Sequence, residues 1–185
     1  MRRAAQGVAW VMVLAATGPA WADEGDAAED RPLTTIQVDP LTTALGFVHI
    51  QIERALSEKW SIYAGPSLHL FPGLLQEEGE DRWVRGYGAE AGVRYFAWGV
   101  APEGGWVQVR GVAAWIEGVD IAAAGEDEPQ EFGGYVSALA GYTAIFGGGL
   151  VLAGGLGVQY VDYAIGDVGT RSVLPAAHTT VGFAF

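Results

Sequence analysis

The sequence predicts an all-β fold: an eight-stranded antiparallel up-and-down transmembrane β-barrel that follows a cleavable N-terminal signal peptide. Three observations carry the prediction. Eight segments alternate apolar and polar residues with period two, aromatic residues gather at the ends of those segments, and the connections alternate between short and long.

The chain has 185 residues, and its start has the layout of an export signal. Arg2 and Arg3 precede an uncharged apolar run from Gly7 to Ala16, and Ala20-Trp21-Ala22 supplies a small-x-small cleavage pattern. The run falls short of the roughly 20 residues of a spanning helix. Arg2-Arg3 lacks the flanks of a twin-arginine signal, so ordinary secretion is expected over a retained N-terminal anchor. The expected organisation is a signal peptide over 1–22, an acidic periplasmic leader over 23–32 and the barrel over 33–185. Removing the signal leaves 163 residues (185 − 22), the length of one domain. It also removes two arginines and no acid, so the net charge moves from −12 to −14. Such a chain, with Lys59 as its single lysine, is excluded as a nucleic-acid binder, because neutralising phosphates requires clustered Lys and Arg. It has 0 cysteines, so export brings no disulfide framework. The nearest approach to a spanning helix after the signal, Ala144 to Val158, contains six glycines and is a poor helix.

The eight alternating segments lie near 33–39, 42–54, 60–71, 84–97, 105–117, 132–143, 149–163 and 173–185. In the second, Ala44, Val48, Ile50 and Ile52 alternate with His49, Gln51 and Glu53. In the third, Trp60, Ile62, Ala64, Leu68 and Leu70 oppose Ser61, Tyr63, Gly65, Ser67 and His69. In the fourth, Tyr87, Ala89, Ala91, Val93 and Tyr95 oppose Glu90, Arg94 and three glycines. In the fifth, Val107, Val109, Ala113 and Trp115 oppose Gln108 and Arg110. Alternation alone does not separate a soluble barrel from a membrane one, since each is half apolar and one is the other turned inside out.

Aromatic placement and connection length favour the membrane. Trp60, Trp83, Trp98, Trp106 and Trp115 all lie at or beside segment ends and are assigned to aromatic girdles. Tyr95, Tyr142, Phe146 and Phe183 join one girdle; Phe71, Tyr87, Phe132, Tyr160 and Tyr163 join the other. Links 55–59, 98–104 and 144–148 are short. Links 72–83, 118–131 and 164–172 are longer or more acidic, with Glu77, Glu78, Glu80, Asp81, Glu126, Asp127 and Glu128 in the first two. The link at Asp39-Pro40 departs from the pattern by being very short.

Further residues carry a resemblance. Ile52-Glu53-Arg54-Ala55-Leu56-Ser57 is followed by Trp60-Ser61-Ile62, then Gly92-Val93-Arg94-Tyr95-Phe96, Pro102-Glu103-Gly104 and Gly141-Tyr142-Thr143. With these the chain resembles the small eight-stranded outer-membrane barrels of the OmpA/OmpX type. More closely, it is similar to an uncharacterised bacterial family of outer-membrane barrel domains, over roughly residues 33 to 185. The resemblance implies a fold, the outer membrane of a Gram-negative bacterium, and no reaction. It also gives a role to Val181, Phe183 and Phe185, whose alternating pattern ending in an aromatic residue resembles the signal read by the outer-membrane barrel assembly machinery.

An eight-stranded barrel is filled by side chains, so its inward polar groups must satisfy one another. A turn centred near Ala101 sets Arg94 opposite Gln108 with Arg110 diagonal, and Glu90 and Glu53 lie at similar depth. These five residues, Glu53, Glu90, Arg94, Gln108 and Arg110, form an expected interior network of structural character. Pairing about Ser57 puts His49 near Gly65, and His178 on another part of the wall, so no metal-ligand set is expected. A lipid A- or phospholipid-modifying enzyme is a rival reading, but His178 is followed by Thr179 and Thr180, and no His-x-Ser motif occurs. A soluble periplasmic ligand-binding barrel is a second rival. The expectation is a non-enzymatic envelope protein without catalytic residue, cofactor or metal. Its partners would be outer-membrane lipids and the assembly machinery, with acidic surface loops toward an unspecified partner.

Overall fold

Successive side chains on a strand point to opposite faces, and each of the eight alternating segments contributes a strand to the computed structural model of the protein. The structure describes residues 31–69, 82–120, 130–165 and 168–185. The expected signal peptide, the leader up to Asp30 and the acidic stretches 70–81 and 121–129 lie outside the described residues, as do Phe71 and the side chains of Trp83 and Tyr163. The strands are β1 (Thr34–Val38), β2 (Phe47–Ala55), β3 (Trp60–His69), β4 (Arg82–Val100), β5 (Glu103–Asp120), β6 (Gln130–Ile145), β7 (Leu150–Ile165) and β8 (Val168–Ala184). Each is antiparallel to the next, and β1 pairs with β8, so the sheet closes on itself.

The closure fixes the size of the interior. From Ile36 the pairing passes to Ile52, Ala64, Ala91, Gly111, Val136, Tyr160 and Val173, while Ile36 itself faces Phe183. The stagger is therefore 10 residues (183 − 173). For eight strands with ordinary rise and spacing, that stagger gives a tilt of about 41° and a backbone radius of about 8 Å. Such a barrel has room for side chains and none for an open lumen.

Three local features differ from expectation. The segment expected as strand from residue 42 begins instead with a short helix, α1 (Pro40–Ala44). Asp39 accepts a hydrogen bond from the Thr42 N–H at 3.0 Å, and Pro40, with no N–H to lose, occupies the first turn. The 164–172 link shrinks, because β7 and β8 remain paired as far as Ile165 and Val168. The β2–β3 pairing centres on residue 58 rather than Ser57, so His49 faces Ser67, not Gly65.

The wall's outer face is apolar between two aromatic rings. Ile52, Ile62, Val93, Val107, Val109, Val136, Leu156 and Val158 are exposed there. Trp60, Tyr95, Tyr142, Phe146 and Phe183 are exposed toward the short turns; Tyr87, Trp115, Phe132 and Tyr160 are exposed toward the opposite end. Tyr87 to Tyr95 on β4 and Phe132 to Tyr142 on β6 set the ring separation at about 20–25 Å along the barrel axis, taking about 3.3 Å per residue and the tilt above. Trp98 shares the numerical parity of the inward Arg94 and Phe96, yet it is exposed. A bulge between Phe96 and Trp98 adds a residue to β4 and turns the indole outward.

Trp106 is not part of a girdle. It is 1 % exposed and faces the interior, where its indole N–H donates to Thr143 Oγ1 at 2.9 Å. It shares the face of Gln108 and Arg110, and Gly141 and Gly155 lie successively across from it in the ladder. A Cβ on either glycine would stand 2.5 Å from the indole. Gly155→Val should therefore displace the ring and lower the unfolding free energy by about 1–3 kcal/mol. Gly154→Val, whose Cβ would meet nothing closer than His178 O at 4.0 Å, should leave it nearly unchanged. Urea titration followed by tryptophan fluorescence reads both, and equal effects would remove the steric explanation.

Candidate functional site

The polar residues of the sheet's inner face converge on the barrel axis. Arg94 on β4 is 0 % exposed and is enclosed on every side. Its Nη1 donates to Glu53 Oε2 at 2.6 Å, and its Nε donates to Gln108 Oε1 at 2.7 Å. The guanidinium carbon lies 4.9 Å from the Tyr63 ring centre and 4.8 Å from that of Trp106, within cation–π reach of both. Glu53 also accepts from Ser61 Oγ and from Gln37 Nε2 at 3.0 Å. Gln37 in turn accepts from Thr180 and from Gln51, which ties β1, β2 and β8 together across the closing seam.

A second group lies further from the short turns. Arg110 Nη2 stands 2.7 Å from Glu90 Oε2, and His49 Nδ1 stands 3.4 Å from the same oxygen. Neither contact is aligned as a hydrogen bond, since these atoms have no hydrogen-bond partner in the structure despite the short distances. The distance measures Coulomb attraction and the alignment measures directional bonding; here the first is present without the second. The Arg110 guanidinium also lies 5.3 Å from the Tyr135 ring centre.

The sequence reading placed Glu53, Glu90, Arg94, Gln108 and Arg110 in one interior network, and the structure puts all five inside the barrel: two ion pairs, Glu53–Arg94 and Glu90–Arg110, with Gln108 accepting from Arg94. It did not include Asp39 or His178. His178, on β8, is 1 % exposed and presents Nδ1 to Asp39 Oδ2 at 3.0 Å and Nε2 to Arg94 Nη2 at 3.2 Å. A guanidinium only donates, so Nε2 accepts from Arg94, while Nδ1 also lies 3.1 Å from Arg110 Nη1 and so stands between a second guanidinium and the Asp39 carboxylate. Asp39 accepts as well from Thr179 Oγ1 at 3.1 Å. Strand parity carried the signal for His178, since Ala177, Thr179 and Val181 share the outward face with Phe183 and leave residue 178 inward. The third histidine, His69, stacks on Phe47 with ring centres 4.1 Å apart. Phe183 and Phe185 are exposed, and Val181 lies between Leu152 and Val38 on the wall.

No family model, curated protein or solved structure matches the chain. The reading of this interior rests on its own chemistry. A guanidinium and a carboxylate held out of water in contact, with their remaining donors and acceptors engaged, form a structural clamp. Removing one partner strands the other, at a cost of about 3–5 kcal/mol. Arg94→Ala should lower the unfolding free energy of the barrel by that amount. Arg94→Ala combined with Glu53→Gln should lose less than the sum of the two single changes, because no carboxylate is then left unpaired; strict additivity in urea titrations would contradict the clamp.

Proposed function

We propose that the chain is a non-enzymatic outer-membrane β-barrel protein of a Gram-negative bacterium, serving envelope integrity or surface interaction. One observation carries the reading: the barrel is inside out relative to a water-soluble one. Ile52 and Val109 are each 55 % exposed on the wall, whereas Glu53 and Arg94 are 0 % exposed at the centre. A soluble protein rarely leaves more than about 300–600 Å² of contiguous apolar surface in water, and an apolar band running round a whole barrel goes well beyond that. Hydrocarbon is the solvent that suits such a wall, and where β1 closes the sheet Thr35–Val38 pair with Val181–Ala184 of β8, so the backbone groups of that stretch are satisfied within the protein.

The height of the band supports the same reading. Aromatic rings about 20–25 Å apart match the spacing of the two interfaces around an outer-membrane barrel's apolar belt. A soluble ligand-binding barrel would need an apolar centre, and this centre is ionic. A pore would need a lumen, and Arg94 with Tyr63 and Trp106 fills the axis. Hydrolysis by a histidine base would need an accessible imidazole nitrogen beside a hydroxyl nucleophile; both nitrogens of His178 are engaged by Asp39, Arg94 and Arg110, and His49, paired across from Ser67, is sealed inside the barrel with it. Envelope integrity is the role such a sealed, rigid barrel suits. Surface interaction is suggested by the acidic stretches over 72–83 and 122–131 of the sequence.

On this reading the protein sediments with outer membranes, needs detergent for extraction, and migrates faster unboiled than boiled on a denaturing gel. Its expression leaves the lipid A mass spectrum unchanged. Extraction by salt alone, together with identical boiled and unboiled mobility, would overturn the membrane assignment. A new lipid A species would overturn the non-enzymatic one.

A further inference from the structure

The outer wall is not uniform. Two rows of the ladder cross it from β3 to β7: Trp60, Tyr95, Val107, Ala140 and Leu156 in one, and Ile62, Val93, Val109, Ala138 and Val158 in the next. In both rows β6 contributes an alanine between larger neighbours, so the two alanines floor a trough whose walls are Val107 and Val109 on one side and Leu156 and Val158 on the other. The resulting cleft has a volume of 610 Å³, is almost wholly apolar, and reaches the tilted Trp60–Tyr95 pair, whose ring centres are 4.9 Å apart. That volume lies within the range of about 300–1,000 Å³ found for small-molecule sites.

Two cations lie at the same end of the wall. Arg54 faces outward beside Ile62 and is a diagonal neighbour of Trp60 across the β2–β3 ladder. Lys59 immediately precedes Trp60 and is exposed. Neither pairs with a carboxylate of the described residues. Arg54 donates to Thr34 Oγ1 at 2.6 Å and Lys59 to Gly99 O at 3.0 Å, both neutral acceptors. Among the described side chains at the opposite end, Arg85 is matched with Glu117 and Arg171 with Asp162. Two carboxylates do occur near the short turns. Glu58 adjoins Lys59 in the chain, and Glu103 accepts from the Ile145 N–H at 3.2 Å. A guanidinium on the wall at the level of an aromatic girdle extends its charged head into the interface at little cost, and in a bilayer the anions available at that depth are lipid phosphates.

We propose that this part of the wall is a site for one anionic phospholipid, its phosphate held by Arg54 and Lys59 and an acyl chain laid past Trp60 into the alanine-floored trough. The proposal rests on the membrane reading and specifies a ligand within it. Headgroup and chain are recognised by different residues, so the two halves of the site are separable by mutation.

The test uses the purified full-length barrel reconstituted into vesicles of phosphatidylcholine containing phosphatidylglycerol, with the lipid retained after detergent extraction counted by native mass spectrometry. The wild-type barrel retains one phosphatidylglycerol in preference to phosphatidylcholine. Arg54→Gln with Lys59→Gln loses that preference by about tenfold or more, as expected for two interfacial cations. Ala138→Leu with Ala140→Leu fills the trough and loses the retained lipid whatever its headgroup. Equal retention of both lipids by the wild-type protein, or retention unaffected by either pair of changes, overturns the site. So does a dimer that the alanine substitutions abolish while lipid retention persists, because the trough would then seat a second copy. All variants should keep the unboiled-to-boiled mobility shift. Loss of lipid preference with the shift intact concerns the site alone, whereas absence of the shift in the wild-type protein concerns the membrane reading beneath it.

Discussion

A guanidinium with no water around it sets the terms for the rest of this barrel. Arg94 is fully enclosed, so each of its needs must be met by a side chain held at a fixed place. Charge is met by Glu53 from β2, the Nε–H by Gln108 from the neighbouring β5, and the cation–π contacts by Tyr63 and Trp106. The remaining nitrogen reaches across the interior to His178 on β8. His178 in turn contacts Arg110 and Asp39 through Nδ1, and Asp39 caps α1 and binds Thr179. One cation is thus linked by three successive contacts, through His178 and Asp39, to α1.

The narrow radius is the second constraint, and it explains how the glycines on the inner face are used. Large inward rings fit only where the facing position has no Cβ. Tyr63 lies against Gly92, where a Cβ would come within 2.4 Å of the ring, and Trp106 lies against Gly141 and Gly155. These glycines do not bend the strands. They make room for aromatic groups that contact the guanidinium, so steric and electrostatic requirements select the same positions.

Much of this was legible from period and turn position. Strand parity separates Glu53, Glu90, Arg94, Gln108 and Arg110 from the apolar wall, and a turn centred at residue 101 sets Arg94 opposite Gln108, as the ladder has it. Placing the β2–β3 turn at Ser57 was one residue off, enough to move His49 from its partner Ser67 to Gly65. Trp106 had inward parity in the sequence, but its place near a strand end suggested a girdle; parity prevailed because Gly141 and Gly155 leave a space for the ring. Asp39-Pro40 suggests a break in a strand and equally an N-cap followed by a first-turn proline, and the second reading holds. Contacts across the lumen were not legible. Whether His178 on β8 reaches Arg94 on β4 depends on the stagger of the closed sheet, which no single strand encodes.

The two ion pairs of the interior differ in kind. Around Arg94 and Glu53 the contacts are aligned hydrogen bonds, whose strength falls steeply when an angle opens. Around Arg110 and Glu90 the contact is short but unaligned, and Coulomb attraction falls only as the inverse of distance. The first pair lies at the level where β1, β2 and β8 meet and Gln37 bridges the seam, so rigidity there protects closure. The second lies nearer the end where β4 and β5 extend for 19 and 18 residues, well beyond the 5 of β1. The two pairs are not independent, because both guanidiniums meet the same imidazole: Arg94 Nη2 stands 3.2 Å from His178 Nε2 and Arg110 Nη1 stands 3.1 Å from His178 Nδ1. Two like charges held on opposite sides of one ring require both carboxylates, so Glu53 and Glu90 are needed together rather than in turn.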